Sequence, residues 1–210
     1  MNTDYALIFD LDGTLWDSRE QVASAWREVA LRRYGESDID LQKVQSVMGL
    51  PMNELALAIA PENLPEKEKF AFAEEAFFYE NQYLQIHPGI PFEGVAKTLT
   101  LLKESGVRLF IVSNCQKGYI ETFLPTIPKG LIEGFLCYGD TLGQKSETII
   151  ALKEKYSLDR CVYIGDTEGD EIQAKLAGCL FCFAGYGFGK SQAPDFVINS
   201  FEELLELFRN

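Results

Sequence analysis

"LIFDLDGTLWDS" runs from Leu7 to Ser18, and its reading decides how the rest of the chain is read. A short apolar run leads straight into two aspartates one residue apart, then a glycine and a threonine. Two like charges at the end of a buried strand repel, and burying either is costly unless something compensates it. The pattern points to a site built around carboxylates. They either hold a divalent cation or divide a reaction, one as nucleophile and the other as acid.

Further apolar runs follow the first. "YALIFD" (5–10), "VRLFIVSN" (107–114), "FLCYGD" (135–140), "CVYIGD" (161–166), "CLFCFAG" (179–185) and "FVIN" (196–199) read as strands. They are nearly continuous in apolar residues, as strands covered on both faces are. The segments near 92–105, 116–124, 146–156, 168–177 and 201–208 read as helices. Strand alternating with helix implies the α/β class, with a Rossmann-like parallel sheet flanked by helices.

One connection breaks this rhythm. Between Asp10 and Val107 the chain is largely helical, over 18–35, 40–49, 52–60 and 65–85, with apolar positions recurring every three or four residues. Pro51, Pro61 and Pro65 stand at helix starts or breaks. The expected organisation is an α/β core of residues 1–15 and 88–210, with an all-helical domain, 16–87, inserted after the first strand. "HPGIP" (87–91) reads as the return linker, and Phe70, Phe77, Phe78 and Tyr79 as core of the helical domain.

Bulk properties narrow the functional classes. The 210 residues suit one sizeable domain or a domain with an insertion. No apolar run reaches the ~18 residues of a membrane span, so no membrane partner is expected. The 19 basic and 32 acidic residues give a net charge of −13, the wrong sign for nucleic-acid binding. Asp4 precedes the first apolar run and nothing there resembles a secretory leader, so a cytoplasmic location is expected. The five cysteines are odd in number and scattered, which reads as reduced thiols. Cys179 and Cys182 have redox-motif spacing, but they lie in the apolar run "CLFCF" and read as small core residues. His87 is the only histidine, too little for a zinc site. No long coiled-coil pattern occurs, so a monomer is expected.

In a parallel sheet, ligands bind beyond the carboxyl ends of the strands. Those ends carry Asp10, Ser113-Asn114 and Asp166, from segments far apart in sequence. Asp12 follows Asp10, and "GDTEGDE" (165–171) adds Asp170. Hard carboxylate oxygens suit octahedral Mg2+. Ser113 and Asn114 offer hydrogen bonds and Lys145 a positive charge. Together these suit a phosphate group, and a carboxylate can attack phosphorus to give an aspartyl phosphate.

On these residues the chain resembles the haloacid dehalogenase superfamily. "DLDGT" (10–14) matches its first motif, "VSN" (112–114) its second, Lys145 its third and "GDTEGD" (165–170) its fourth. The helical insertion looks like the cap of the phosphoglycolate phosphatase and beta-phosphoglucomutase branch. The resemblance implies that Asp10 is the nucleophile and a Mg2+ ligand. It implies that Asp12 protonates the leaving oxygen, then activates water, and gives its backbone carbonyl to the metal. Thr14, Ser113 and Asn114 would hold phosphoryl oxygens, Lys145 would balance charge and Asp166 would bind Mg2+. Asp170 would act through water or by orienting Lys145. The third motif departs from the Lys-Pro-x-Pro of many relatives, reading "GQKSETI" (143–149).

The implied activity is Mg2+-dependent hydrolysis of a small phosphorylated metabolite, with phosphoglycolate the family default. Two alternatives stand beside it: a mutase, and a low-turnover regulatory or partner-binding protein. A mutase needs a second phosphate site, and Met52 occupies the place in "GLPMN" (49–53) where relatives carry an arginine. Arg27, Arg32 and Arg33 are the candidate substitutes. Trp16 reads as cleft lining or cap-hinge packing, and "GYGFG" (185–189) as a mobile lip or a plain turn.

Overall fold

The structure is a computed structural model that describes residues 5–209. Asp4, on which the absence of a leader was argued, lies outside them. The chain divides into two compact units, one of residues up to Trp16 together with Pro91 onward, the other Asp17–Ile90.

The first unit is built on strand β1 (Ala6–Phe9). The chain leaves it through the two-residue strand β2 (Trp16–Asp17), passes through helices α1 (Arg19–Tyr34), α2 (Leu41–Val47), α3 (Met52–Ile59) and α4 (Glu66–Ile86), and returns through β3 (Ile90–Pro91). Then come α5 (Val95–Glu104), β4 (Leu109–Ser113), α6 (Ile120–Phe123), β5 (Gly134–Cys137), α7 (Tyr138–Thr141), α8 (Lys145–Tyr156), β6 (Cys161–Gly165), α9 (Glu168–Leu176), β7 (Leu180–Ala184), β8 (Phe196–Ile198) and α10 (Leu204–Phe208).

Six strands form one sheet in the order β5-β4-β1-β6-β7-β8. Every neighbouring pair is parallel. This is the α/β sheet that the alternating pattern implied. Both faces are covered, which explains the unbroken apolar runs. On one face Ile8, Phe110, Val112, Tyr163 and Phe181 pack with Ile149 and Leu152 of α8 and Ala174 of α9. On the other, Phe9 meets Phe201, ring centroids 5.7 Å apart. The registers Phe9↔Ile111 and Phe9↔Ile164 bring the ends of β4, β1 and β6 level, so the residues after them emerge side by side.

Two elements are shorter than expected. The strand read to Asp140 ends at Cys137, because the Asp140 carboxylate accepts from the Cys137 amide at 3.1 Å and starts a helical turn there. The helix read over 116–124 is α-helical only over Ile120–Phe123. Gly118, at φ 91°, sits in the left-handed region before it, and Pro125 lies in the 3-10 turn after it.

In the helical unit, α4 packs against α1 and α3. Its buried stripe is Phe72, Ala73, Ala76, Glu80 and Leu84. This corrects the expected stripe, since Phe70 and Phe78 are exposed. Phe72, Ala76, Glu80 and Leu84 recur every four residues on one face, whereas Phe78 falls on another. The buried Glu80 carboxylate accepts from the Trp26 indole of α1.

Phe181, fully buried in the middle of β7, sits in the larger cluster. Phe181→Ala is expected to cost the sheet unit about 3–5 kcal/mol, read as a lower urea midpoint at an unchanged slope.

Candidate active site

Asp10 is the first residue past β1, and its amide donates to the Ile164 carbonyl of β6 at 2.8 Å. The sheet thus anchors the Asp10 backbone beside β6, which Asp166 follows. Asp166 and Asp170 complete a buried cluster in which one carboxylate oxygen from each of the three residues lies within 4.8 Å of the other two.

Lys145, the first residue of α8, reaches into this cluster. Its Nζ donates to Asp10 Oδ1 at 3.0 Å and to Asp170 Oδ1 at 2.5 Å. All four groups are buried. Tyr163, fully buried in β6, donates to the Val112 carbonyl at 2.8 Å and sets its hydroxyl 3.4 Å from Asp10 Oδ1.

Asp170 does two jobs at once. Thr167 is the N-cap of α9, and its hydroxyl accepts from the Asp170 amide at 3.0 Å. The Asp170 Oδ2 accepts in return from the Thr167 amide at 3.1 Å and hydroxyl at 2.7 Å. This capping box fixes the carboxylate, and its other oxygen holds Lys145.

Three carboxylates share one ammonium. Burial, above all, pushes the Asp10 carboxyl up to about 8; Lys145 opposes this, and Asp170 and Asp166 add to it. Asp166 is pushed up to about 7, by burial first and then by Asp170. Burial disfavours the Lys145 charge, but Asp10 and Asp170 outweigh it and hold the ammonium well above the usual lysine range. The lysine therefore keeps its charge, and Asp10 and Asp166 hold a proton more tightly than free carboxyls do. A divalent cation would offset that burial cost, and the donors are hard oxygens, so the residues fit such an ion.

The surrounding backbone makes room for Asp166. Gly13 has φ +80°, and a Cβ there would overlap the Asp166 carboxylate. A Cβ on Gly187 would overlap Asp166 Cβ, and one on Gly189 would come within 2.6 Å of its carbonyl. The amide of Phe188 donates to Asp166 Oδ2 at 2.7 Å. The Tyr186 hydroxyl donates to the Thr14 carbonyl at 2.9 Å. Residues 185–189 are therefore a pinned wall of the site.

The remaining candidates fall around this cluster. Thr14 is fully buried and its hydroxyl has no hydrogen-bond partner, an orphaned donor suited to a ligand oxygen. Ser113 ends β4, buried, and the partly buried Asn114 follows it. The Asp12 carboxylate stands outside the three-acid cluster. Its Oδ1 accepts from the Trp16 indole and the Tyr119 hydroxyl, both at 2.9 Å.

A family description now meets these residues. The model for haloacid dehalogenase-like hydrolases matches residues 7–184, which include Asp10, Asp12, Thr14, Ser113, Asn114, Lys145, Asp166 and Asp170 but not the 185–189 wall. The chain belongs to the haloacid dehalogenase-like hydrolase family. Similar proteins include the phosphoglycolate phosphatase of Neisseria meningitidis, 28% identical, with 96% of this chain and 92% of that protein aligned. The phosphoglycolate phosphatase of Aquifex aeolicus is 26% identical, over 97% of this chain and 96% of that one. Among solved structures, one from Haemophilus somnus described as a predicted phosphoglycolate phosphatase has the same fold. Its TM-score is 0.85 at 22% identity, with 99% of each chain covered.

Several residues of this haloacid dehalogenase-like site escaped the sequence analysis. Tyr163 was counted only as strand, although a tyrosine inside a central strand needs a partner for its hydroxyl. Thr167 and Asp170 have the spacing of a capping box, a readable signal. Tyr119 and the steric roles of Gly13 and Gly187 had none, because their partners are distant in sequence. The cysteines fit the core reading: all five are unpaired and buried, and burial, chiefly, pushes the Cys182 thiol up to about 12.

Two outcomes follow for metal binding. The folded, metal-free protein holds protons on Asp10 and Asp166 more tightly than the unfolded chain does. Their stabilising contribution is complete below the usual carboxylate range and is lost as pH rises through about 7 to 8. Urea unfolding of the metal-free protein should show that loss, and calorimetry should show Mg2+ binding roughly tenfold tighter or more at pH 8 than at pH 6, with protons released. Gly187→Ala should displace Asp166 and weaken Mg2+ binding about tenfold or more, measured by the same calorimetry.

Proposed function

We propose that this hydrolase is a Mg2+-dependent phosphatase of small phosphomonoesters that works through an aspartyl phosphate on Asp10. The observation that carries this is the placement of Asp10. Its carboxylate is buried and fixed at a strand end, with Lys145 on Oδ1 and Asp166 and Asp170 beside it. Asp10 and Asp166, with the Asp12 carbonyl, would hold Mg2+, which supplies charge neutralisation at the phosphoryl group.

In the first step an Asp10 oxygen bonds to phosphorus while the ester P–O bond breaks, and Asp12 gives its proton to the leaving oxygen. In the second, Asp12 takes a proton from water as that water attacks phosphorus, and the Asp10–phosphorus bond breaks. Phosphate leaves and Asp12 is again protonated. Lys145 keeps the Asp10 carboxylate oriented and offsets negative charge on the transferring group. Thr14, Ser113 and Asn114 bind phosphoryl oxygens, and the orphaned Thr14 hydroxyl supports this. Asp170 acts by orienting Lys145.

We assign residues 16–87 the role of a cap that selects the substrate. The names of the relatives favour phosphoglycolate or a close analogue. We further take the chain as a cytoplasmic monomer; the five unpaired cysteines agree with a reducing compartment. A mutase has less support, because the candidate arginines are engaged inside the helical unit. Arg27 donates to the Ile39 carbonyl, Arg32 pairs with Glu28, and Arg33 pairs with Glu75.

The test is phosphate release from a panel of phosphomonoesters, phosphoglycolate among them, with Mg2+ and with chelator. Turnover should require Mg2+ and fall about a thousandfold or more in Asp10→Asn. Equal release by wild type and Asp10→Asn would overturn the proposal.

A further inference from the structure

Asp12 needs more than proximity. It must deliver a proton along one direction, so its carboxylate has to be held in one rotamer with one oxygen turned to the reaction. A carboxylate two residues into a loop does not hold itself. The structure shows what holds this one. Trp16 Nε1 and Tyr119 Oη both donate to the same oxygen, Asp12 Oδ1, each at 2.9 Å.

These two donors are themselves immobile. Trp16 is 0% and Tyr119 2% exposed. Their rings meet edge to face at 5.8 Å, and Trp16 meets Phe123 in the same way at 5.4 Å. Trp16 lies four residues after Asp12, and its backbone carbonyl accepts from the Gly13 amide at 3.0 Å, so the indole and the loop move together. Tyr119 comes from the turn before α6, on a different part of the chain. Both donors are neutral side chains.

We propose that Trp16 and Tyr119 are positioning residues that clamp the Asp12 carboxylate by Oδ1 in the orientation from which it protonates the leaving oxygen. This rests on the phosphatase assignment above, and its test separates the two.

The experiment measures kcat/KM, which reports the steps through loss of the leaving group. Two substrates are used: an alkyl phosphomonoester, whose leaving alkoxide needs a proton, and p-nitrophenyl phosphate, whose phenolate does not. Tyr119→Phe removes one oxygen and keeps the ring; Trp16→Phe removes the indole donor. Each should lower kcat/KM for the alkyl ester about tenfold or more, while p-nitrophenyl phosphate changes about threefold or less. In an Asp12→Asn background, Tyr119→Phe should cause no further loss on the alkyl ester. Should Trp16→Phe fail to fold, Tyr119→Phe alone decides. Equal loss on both substrates, or full additivity with Asp12→Asn, overturns the clamp while leaving an Asp10-dependent phosphatase intact. Wild type without Asp10-dependent turnover overturns the phosphatase assignment and the clamp with it.

Discussion

The structure depends on one unfavourable arrangement made tolerable: three buried carboxylates around a single lysine ammonium. Ion pairs taken out of water repay their desolvation only when geometry is good and the remaining lone pairs are satisfied. Here the parallel register places Asp10 and Asp166 on adjacent strand ends. The Thr167–Asp170 capping box fixes the third acid. Lys145 enters from the first turn of a separate helix and joins Asp10 to Asp170. Each of these is ordinary local structure, and the charge cluster is what they have in common. A cation placed among these oxygens would offset the burial cost and relieve the mutual repulsion that together hold protons on Asp10 and Asp166.

Much of this was legible in the sequence because the strands are buried on both faces. Runs such as "ALIF" and "CVYIG" carry no polar residue that would blur their ends, so the acids and the Ser-Asn pair at those ends stood out. The four helices between β2 and β3 were equally plain, each with three- and four-residue apolar spacing and a proline or polar residue at its start. What failed to show was anything set by side-chain partners. Phe70, Phe78 and Phe72 are indistinguishable by composition, and only the packing of α4 on α1 decides which is buried. Asp140 read as strand end until its carboxylate was seen to cap the Cys137 amide.

The site was legible in its acids and illegible in its supports. Asp10, Asp12, Asp166 and Asp170 declare themselves because acids at the ends of apolar runs are rare and costly. Trp16, Tyr119 and Tyr163 look like core residues, and they are core residues. Their polar tips act only because the sheet brings Asp10 and Asp12 within reach. Glycine offers the same lesson from the other side. Gly187 matters for the atom it lacks, and no property of the "GYGFG" stretch says that Asp166 fills the space.

The central position of β1 also governs how the protein is made. Its partners lie about a hundred residues onward at Leu109 and some hundred and fifty onward at Cys161. A ribosome adding about 5–20 residues per second leaves β1 without β6 for on the order of ten seconds. Before β4 is made, the contiguous segment 17–90 is already complete, whereas Leu7, Ile8 and Phe9 still have neither neighbouring strand. The helical unit is therefore positioned to fold first. The nascent first strand stays apolar and unpaired until β4 is made.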